Sequence, residues 1–369
     1  DHPALGIWHL SNEYNGDCHC ELCLASFHRW LEDRYKTLEN LNDRWWTAFW
    51  SHTYTAWDEV DPRDAAVDGL ALDWKRFVSW QVGDFIEWEK VPLRALTPDV
   101  PITTNFMGTF DGINYAELAK HLDLVADDQY PRMNPGPNLL NTAAGVAFKD
   151  DLYRCFKPET PWMLMESCPD SPQWCSPMKL KRPGVHRAEM LQAIGHGAEG
   201  TLYFQWRKGR GAHEKLHGAV VDHVGHENTR VFKTVADLGH LYTQMSDVIG
   251  TRVESQAAVL YDWENKWAFE ATSGTPRDPD HLLLEAQSHH RALWEQGISV
   301  DVLAMDRDFS SYKLLVAPVL YMLKPGVADR MRSFVENGGF LVGTYFLGTV
   351  DETNRVWTGG LPGDGLMEL

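Results

Sequence analysis

The sequence has no run of about 18 uninterrupted apolar residues, the length that a membrane-spanning helix requires. Basic side chains are also few. The 34 Lys and Arg residues stand against 52 Asp and Glu residues, which leaves a net charge of −18. Because so acidic a protein repels polyanions, we expect neither a membrane nor a nucleic acid as its partner.

Cysteine is scarce, with six residues in 369, yet three of the six fall within six positions. Cys18, Cys20 and Cys23 form the pattern C-x-C-x-x-C, whose thiolates converge readily on a tetrahedral ion and do not easily pair as disulfides. We therefore predict a structural zinc, with a fourth ligand from His19 or from a cysteine upstream of this sequence. The other three cysteines are expected to be ordinary thiols in a reducing compartment, which favours a cytoplasmic location.

Two glutamates each follow a short apolar run that predicts a buried β-strand. Glu13 follows GIWHLSN, and Glu166 follows PWMLM. In a barrel of parallel strands, catalytic groups stand at the C-terminal ends of the strands. A pair of carboxyl groups in that position is what glycoside hydrolysis requires. The pair therefore makes Glu13 and Glu166 candidate catalytic residues of a glycosidase.

Further strand-like runs at 100–107, 122–131 and 201–206 alternate with longer helical stretches. This alternation predicts parallel strands that are buried on both faces. With the two runs that precede the glutamates, it gives five barrel-type strands, whereas a closed (β/α)8 TIM barrel has eight. We therefore expect residues 1–250 to be the C-terminal portion of such a barrel, and the sequence to be an N-terminally truncated fragment.

Strands and helices continue to alternate downstream. We predict strands at 256–262, 298–305, 312–320 and 340–345, and helices at 285–296 and 325–337. The last helix has Pro at its start and two glycines at its end, as helices commonly do. The pattern predicts a second, doubly wound α/β domain at 251–369. Because no glycine-rich phosphate loop follows its strands, we expect a structural or oligomerising role rather than nucleotide binding.

Two other stretches each allow two interpretations. Residues 22–96 have helical periodicity and contain several clustered aromatic side chains. They form either amphipathic packing helices or a roof over a sugar site. The loop 207–218 follows a predicted strand and is rich in charge and glycine. It is either a solvated loop or the source of two side chains that bind sugar hydroxyls, Glu214 and His217.

Four strings of this sequence resemble glycoside hydrolase family 42, the β-galactosidases: WHLSNEY, CHCELC, PWMLMES with a Trp eight residues after the Glu, and LYFQWRKGRGAHEKLHGA. The resemblance runs through the barrel portion. It extends more weakly downstream, where the sequence resembles the family's trimerisation domain with its flavodoxin-like or amidotransferase-like fold. It implies a retaining β-galactosidase that acts on terminal non-reducing β-D-galactosyl residues of β-galactosides, and a homotrimer.

The resemblance also implies a role for each matching residue. Glu13 would be the acid/base, and Glu166 the nucleophile of a double displacement. Four side chains would contact the galactosyl unit: Asn12, Trp174, Glu214 and His217. Three would bind zinc: Cys18, Cys20 and Cys23. The family's fourth zinc cysteine and a substrate-binding Arg lie upstream of its Asn-Glu motif, and so outside this sequence.

Two alternatives from other classes stay open. The first is a catalytically idle carbohydrate-binding or scaffold protein of the same fold, against which the presence of both glutamates argues. The second is a zinc-dependent enzyme whose reactive site is the cysteine cluster. It is the weaker of the two, because a catalytic zinc keeps an open coordination position and has fewer thiolate ligands.

Overall fold

The computed structural model describes residues 2–64, 66–131 and 139–368. Its strands are short and parallel: β1 Trp8–His9, β2 Ile102–Thr103, β3 Asn105–Phe106, β4 Ala126–Gln129, β5 Trp162–Ser167, β6 Ala198–Thr201, β7 Ala257–Leu260, β8 Val300–Leu303, β9 Leu314–Ala317 and β10 Phe340–Gly343. Its α-helices are α1 Glu21–Tyr35, α2 Leu38–Arg44, α3 Asp68–Leu96, α4 Tyr115–Leu118, α5 Leu139–Phe156, α6 Val185–Gly195, α7 Arg230–Gln244, α8 Trp263–Ala271, α9 His281–Trp294 and α10 Val327–Glu336. Within the described ranges, every helix is either too short or too polar to cross a membrane.

The chain forms two compact units, each assembled from separate stretches. The first consists of Asp1–Glu13, Lys90–Phe110 and Leu122–Glu254. The second consists of Tyr14–Glu89, Asp111–His121 and Ser255–Leu369. The domain boundary predicted between residues 250 and 251 stays a prediction.

The strands of the first unit follow one another in chain order. β1 pairs with β2, with Trp8 beside Ile102, and β3, β4, β5 and β6 form a parallel sheet in that order. Only Thr104 separates β2 from β3. All four residues of β4 are buried, and so are those of β2 and β3, as expected for strands that are covered on both faces. The predicted parallel pairing is confirmed, and so is burial for β2, β3 and β4. The strand before Glu13 was predicted to be buried, but β1 has a half-buried Trp8 and an exposed His9.

One predicted strand is misplaced. β6 ends at Thr201, where the strand predicted at 201–206 begins. The residues of β6 include Glu199 and Gly200, which are poor strand formers, so the sequence does not reveal it. Residues 202–206 lie beyond β6, but the amides of Leu202 and Phe204 still donate to β5, at Leu164 O (2.8 Å) and Ser167 O (3.1 Å). At the end of this segment, Trp206 O accepts a hydrogen bond from the backbone amide of Val221 at 2.7 Å.

The second unit contains the predicted doubly wound domain. Its sheet has the strand order β10-β9-β7-β8, and all strands are parallel. Counted from its own first strand, this is the order 2-1-3-4 of flavodoxin-like folds. α8 is capped by the Asp262 carboxyl, which accepts hydrogen bonds from the amides of Glu264 at 2.9 Å and Asn265 at 3.1 Å. α10 begins after Gly326 and ends before Gly338, as predicted.

The helical stretch 22–96 forms α1, α2 and α3, which bury Phe27, Leu31, Leu41 and Phe77 completely. Its aromatic cluster divides into two parts. Trp45 is buried and donates a hydrogen bond to Tyr35 Oη at 2.9 Å. The others are mostly exposed, at 63% for Trp46, 60% for Phe49 and 75% for Trp50. The helices therefore pack through buried apolar side chains, as the first of the two interpretations predicts. The second interpretation, a roof over a sugar site, stays a prediction.

A buried ionic network joins α3 to α8 within the second unit. The Arg76 guanidinium contacts Asp73 at 2.9 Å and Glu264 at 2.5 Å. The Lys324 ammonium contacts Glu264 at 3.1 Å and Asp262 at 3.0 Å. Burial alone would raise the pKa of Glu264, but Arg76 and Lys324 hold it well below its usual range. Glu264 is therefore the anion that two buried cations share.

We expect Glu264→Gln to lower the free energy of unfolding by about 3 kcal/mol at pH 7, because it leaves Arg76 and Lys324 without their common counter-charge. Since a depressed pKa stabilises the fold only above the unfolded value, this loss should shrink as the pH falls below about 4. Denaturant unfolding at several pH values measures it. The control is Glu295→Gln, which removes the half-exposed pair with Arg291 and should change stability by about 0.3–0.5 kcal/mol. Equal losses in the two variants would contradict the expectation.

Candidate active site

The two candidate glutamates lie at the carboxyl ends of two strands of the first unit. Glu13 follows β1 by four residues, and Glu166 is the penultimate residue of β5. The backbone bends sharply before the first of them, because Ser11 and Glu13 have φ values of 33° and 44°. Residues other than Gly rarely adopt positive φ values, so contacts with the surrounding groups must stabilise the bend.

Asn105, which is fully buried in β3, holds this bend. Its Oδ1 accepts a hydrogen bond from the backbone amide of Glu13 at 3.0 Å. Its Nδ2 donates to Asn12 Oδ1 at 3.0 Å and to Asp128 Oδ2 at 2.5 Å, and lies 3.5 Å from Glu166 Oε1. One amide group therefore fixes the orientation of Asn12 and the position of Glu13.

Three carboxyl groups meet at this point. One carboxyl oxygen from each of Glu13, Asp128 and Glu166 lies within 4.8 Å of the other two. Glu13 and Glu166 are half-buried, and Asp128 is buried. The structure thus brings together the two glutamates that the sequence singled out, and it adds an aspartate that the sequence analysis did not identify.

The Glu166 carboxyl is also bound by a tyrosine. The Tyr130 hydroxyl donates a hydrogen bond to Glu166 Oε2. Burial raises the pKa of Glu166, the hydrogen bond from Tyr130 opposes that rise, and the nearby charges of Glu13 and Glu214 add to it. Tyr130 is therefore the group that favours the ionised form of Glu166.

Aromatic rings surround the same place. The Trp174 ring lies 4.7 Å from that of Tyr130 and 4.8 Å from that of His217, measured between centroids. The Phe204 ring packs on the other side of His217 at 5.4 Å. Trp174 remains 49% exposed, so one of its faces is available to a ligand.

His217 and Glu214 supply polar groups next to these rings. His217 is fully buried, and burial lowers its pKa, so the ring is neutral at pH 7. Its Nε2 has no hydrogen-bond partner among the described residues. Glu214 is half-buried and acts electrostatically on Glu166. All six residues predicted for catalysis and sugar binding therefore belong to one cluster in the first unit.

Three residues of this cluster were missed by the sequence analysis: Asn105, Asp128 and Tyr130. Each lies at or just after the end of a strand that the sequence did predict, within the runs VPITTNFM and LVADDQYP. The carboxyl ends of parallel strands meet at one edge of a sheet, so polar residues there were a usable signal. The hydrogen-bond partners of these three residues could not be predicted from the sequence, because the partners lie on other strands.

The three clustered cysteines lie in the second unit. The Sγ atoms of Cys18, Cys20 and Cys23 are all within 4.8 Å of one another. A tetrahedral zinc with Zn–S bonds of about 2.3 Å needs sulfurs about 3.8 Å apart, which small side-chain movements would give. A hydrogen bond from the Cys23 backbone is the main cause that lowers the pKa of Cys20 to about 7. His19 is not among these converging ligand atoms, and its Nε2 contacts Asp17 at 3.1 Å.

Sequence comparison assigns both parts of the chain. The profile of a glycoside hydrolase family 42 domain, described as Beta-galactosidase, matches residues 1–245. The chain belongs to glycoside hydrolase family 42. A second profile, described as Beta-galactosidase trimerisation domain, matches residues 255–369. The family 42 membership predicted from the sequence motifs is therefore confirmed.

Curated family 42 relatives align with almost the whole chain. Beta-galactosidase BglY of Alicyclobacillus acidocaldarius is 48% identical over 366 residues, which are 98% of this chain and 53% of the relative. Beta-galactosidase Pbg of Clostridium perfringens is 46% identical over 371 residues, which are 98% of this chain and 54% of the relative. The chain thus spans about half the length of the curated relatives that it matches.

Solved family 42 structures have the same fold. The cold-adapted β-galactosidase of Rahnella sp. R3 superposes with a TM-score of 0.96 at 46% identity, covering 98% of this chain and 54% of that one. A catalytic mutant of Gan42B from G. stearothermophilus gives a TM-score of 0.95 at 45% identity, with the same coverage. The predicted fold class is confirmed: the later strands of a (β/α)8 barrel are followed by a flavodoxin-like α/β domain.

The contact between Tyr130 and Glu166 leads to a pH prediction. Because the hydrogen bond lowers the pKa of Glu166, Tyr130→Phe should raise it and move the acid limb of the kcat/KM profile upward by about 1 pH unit. A pH profile of aryl galactoside hydrolysis measures this. Tyr153→Phe is the matched control, since that buried hydroxyl donates to Gly108 O at 2.9 Å, and it should leave the limb in place. An unmoved limb in Tyr130→Phe would disprove the role of the contact.

Proposed function

We propose that this chain carries the catalytic groups of a retaining β-galactosidase, which removes terminal non-reducing β-D-galactosyl residues from β-galactosides. The spacing of Glu13 and Glu166 carries the proposal. Retaining glycosidases hold their two carboxyl groups about 5–5.5 Å apart, and inverting ones about 6.5–9.5 Å. Carboxyl oxygens within 4.8 Å of each other agree with the retaining spacing.

In the first step, Glu13 donates its proton to the glycosidic oxygen while the Glu166 carboxylate attacks the anomeric carbon. The bond to the leaving group breaks, the aglycone departs as an alcohol, and a galactosyl ester of Glu166 forms. Glu13, now ionised, removes a proton from water, which attacks the same carbon and releases Glu166. The hydrogen bond from Tyr130 supports this assignment, because it favours an ionised Glu166 as nucleophile.

The galactosyl unit would be held by the side chains around the pair. Trp174 offers an exposed ring face on which the apolar side of a sugar can stack. The buried Nε2 of His217 has no hydrogen-bond partner among the described residues and would donate to a sugar hydroxyl, and Glu214 would accept a hydrogen bond from another. Asn12, whose side chain accepts a hydrogen bond from Asn105, would contact the sugar 2-hydroxyl, where a hydrogen bond strengthens in the transition state. The choice of galactose follows the names of the family 42 relatives.

The assembly and the metal belong to the same proposal. The match of residues 255–369 to a trimerisation domain supports a homotrimer. The convergence of Cys18, Cys20 and Cys23 supports a structural zinc whose fourth ligand comes from outside this sequence. The six cysteines are all free thiols, in keeping with a cytoplasmic location.

Hydrolysis of a panel of nitrophenyl glycosides by the protein restored to full length, with product stereochemistry followed by NMR, tests the reaction. We expect cleavage of β-galactosides with retention of configuration. Glu166→Gly should abolish turnover, and azide should restore it with inversion, because the small anion can enter the space of the missing nucleophile. Glu159→Gly is the control, since that side chain is 83% exposed, and it should stay active. An active Glu166→Gly would refute the assignment, and no cleavage by the parent protein would favour the idle scaffold.

Replacing one cysteine tests the zinc. Cys20→Ser should lower the zinc content measured by mass spectrometry and the Tm, because a structural zinc contributes its binding free energy to folding. Turnover measured well below the Tm should hardly change, since the metal takes no part in the chemistry. Cys155→Ser, in a thiol away from the cluster, should keep the zinc. Immediate loss of turnover on chelation would instead indicate a catalytic metal.

A further inference from the structure

Asp128 lies beside the two catalytic carboxyl groups but takes no part in the proposed double displacement. It is a residue of β4 and is directly paired in register with Glu166 of β5. Its side chain is only 6% exposed. One of its carboxyl oxygens lies within 4.8 Å of an oxygen of Glu13 and of Glu166. A third acidic group is therefore buried inside the reacting pair.

The two oxygens of Asp128 have different surroundings. Oδ2 accepts the hydrogen bond from Asn105 Nδ2 at 2.5 Å. Oδ1 is fully buried and has no hydrogen-bond partner among the described residues. The carboxyl group of Glu13 is nevertheless within hydrogen-bonding reach of Asp128. Two carboxylates cannot bond to each other unless one of them carries a proton, and a proton on Oδ1 would satisfy both.

The charges that face Asp128 favour this proton. Glu13 approaches from the segment after β1, Glu166 from β5, and Asp127 precedes it on its own strand. The Tyr130 hydroxyl, which donates to Glu166 Oε2, also feels the charge of Asp128, and His9 contacts Asn105. Burial, followed by the charges of Glu166 and Asp127, raises the pKa of Asp128 to about 10. A buried carboxyl group among other carboxyl groups is held neutral.

We propose that Asp128 is a positioning residue that stays a neutral carboxylic acid, accepting a hydrogen bond from Asn105 at Oδ2 and donating one from Oδ1 to Glu13. The proposal rests on the proposed function. The bond holds the Glu13 oxygen that does not face the leaving group, so the proton of the other oxygen points at the substrate. When Glu13 gives up that proton, the donor on Asp128 stabilises the carboxylate that forms. An ionised Asp128 would repel it.

A neutral acid and an amide offer the same two hydrogen bonds, which makes the test sharp. Asp128→Asn keeps an acceptor for Asn105 and a donor for Glu13, and we expect its kcat on nitrophenyl β-galactoside to stay within a few-fold of the parent. Asp128→Ala loses both. The kcat of Asp128→Ala should fall by about 10- to 100-fold, which is part of the 10²–10⁴-fold rate enhancement that a positioned general acid contributes. Its KM should hardly change, since Asp128 does not touch the sugar.

A kcat for Asp128→Asn as low as that of Asp128→Ala, with normal cooperative unfolding, would overturn the proposal, because Asp128 would then act as an anion. An Asp128→Ala variant with the parent kcat would also overturn it. If Asp128→Ala does not fold, the comparison of Asp128→Asn with the parent still decides.

Infrared spectroscopy separates this proposal from the proposed function. At pH 8 the parent protein should show the C=O band of a protonated carboxylic acid, and Asp128→Asn should lack it. If the parent spectrum has no carboxylic acid band that the variant lacks, Asp128 is not a neutral acid, whatever the activity of the protein. If the parent cleaves no glycoside but the band is present, the proposed function fails while the protonation of Asp128 is confirmed.

Discussion

The amide group of Asn105 is the contact on which the geometry of the site depends. The chain reaches Glu13 through two residues with positive φ, Ser11 and Glu13 itself, and such positions each cost about 1–3 kcal/mol unless the surroundings hold them. The hydrogen bond from the Glu13 amide to Asn105 Oδ1 provides that hold. The Nδ2 group of the same side chain reaches Asn12 and Asp128. One buried side chain thus links a backbone bend to two polar side chains of the site.

This arrangement follows from the parallel sheet. Parallel strands present their carboxyl ends at one edge, so the residues that end β3, β4 and β5 are brought together without any local sequence signal. Asn105, Asp128 and Glu166 come from these three strands, and the register of β4 with β5 sets Asp128 directly beside Glu166. The sheet therefore forces acidic groups together, and hydrogen bonds from Asn105 and Tyr130 make that proximity tolerable.

The sequence allowed the acids to be predicted, but not the groups that control them. Glu13 and Glu166 were identifiable because each ends an apolar run, and the class of parallel, buried strands followed from the spacing of such runs. β6 was misplaced because Glu199 and Gly200 hide a strand that pairing with β5 stabilises. Asn105, Asp128 and Tyr130 were missed because their partners are distant in sequence. Asn105 and Asp128 are 23 residues apart, yet they are joined by a 2.5 Å hydrogen bond.

The protonation of the three carboxyl groups follows from how each is solvated. Glu166 receives a hydrogen bond from the Tyr130 hydroxyl, which favours its charge. Asp128 receives one from Asn105, but its other oxygen has acidic neighbours instead of a donor. Burial raises the pKa of both groups, but the hydrogen bond from Tyr130 lowers that of Glu166, whereas the charges of Glu166 and Asp127 raise that of Asp128 further. A nucleophile must be an anion, and the group beside it must not add a second charge. The hydrogen bond from Tyr130 favours the first condition, and the burial of Asp128 among carboxyl groups favours the second.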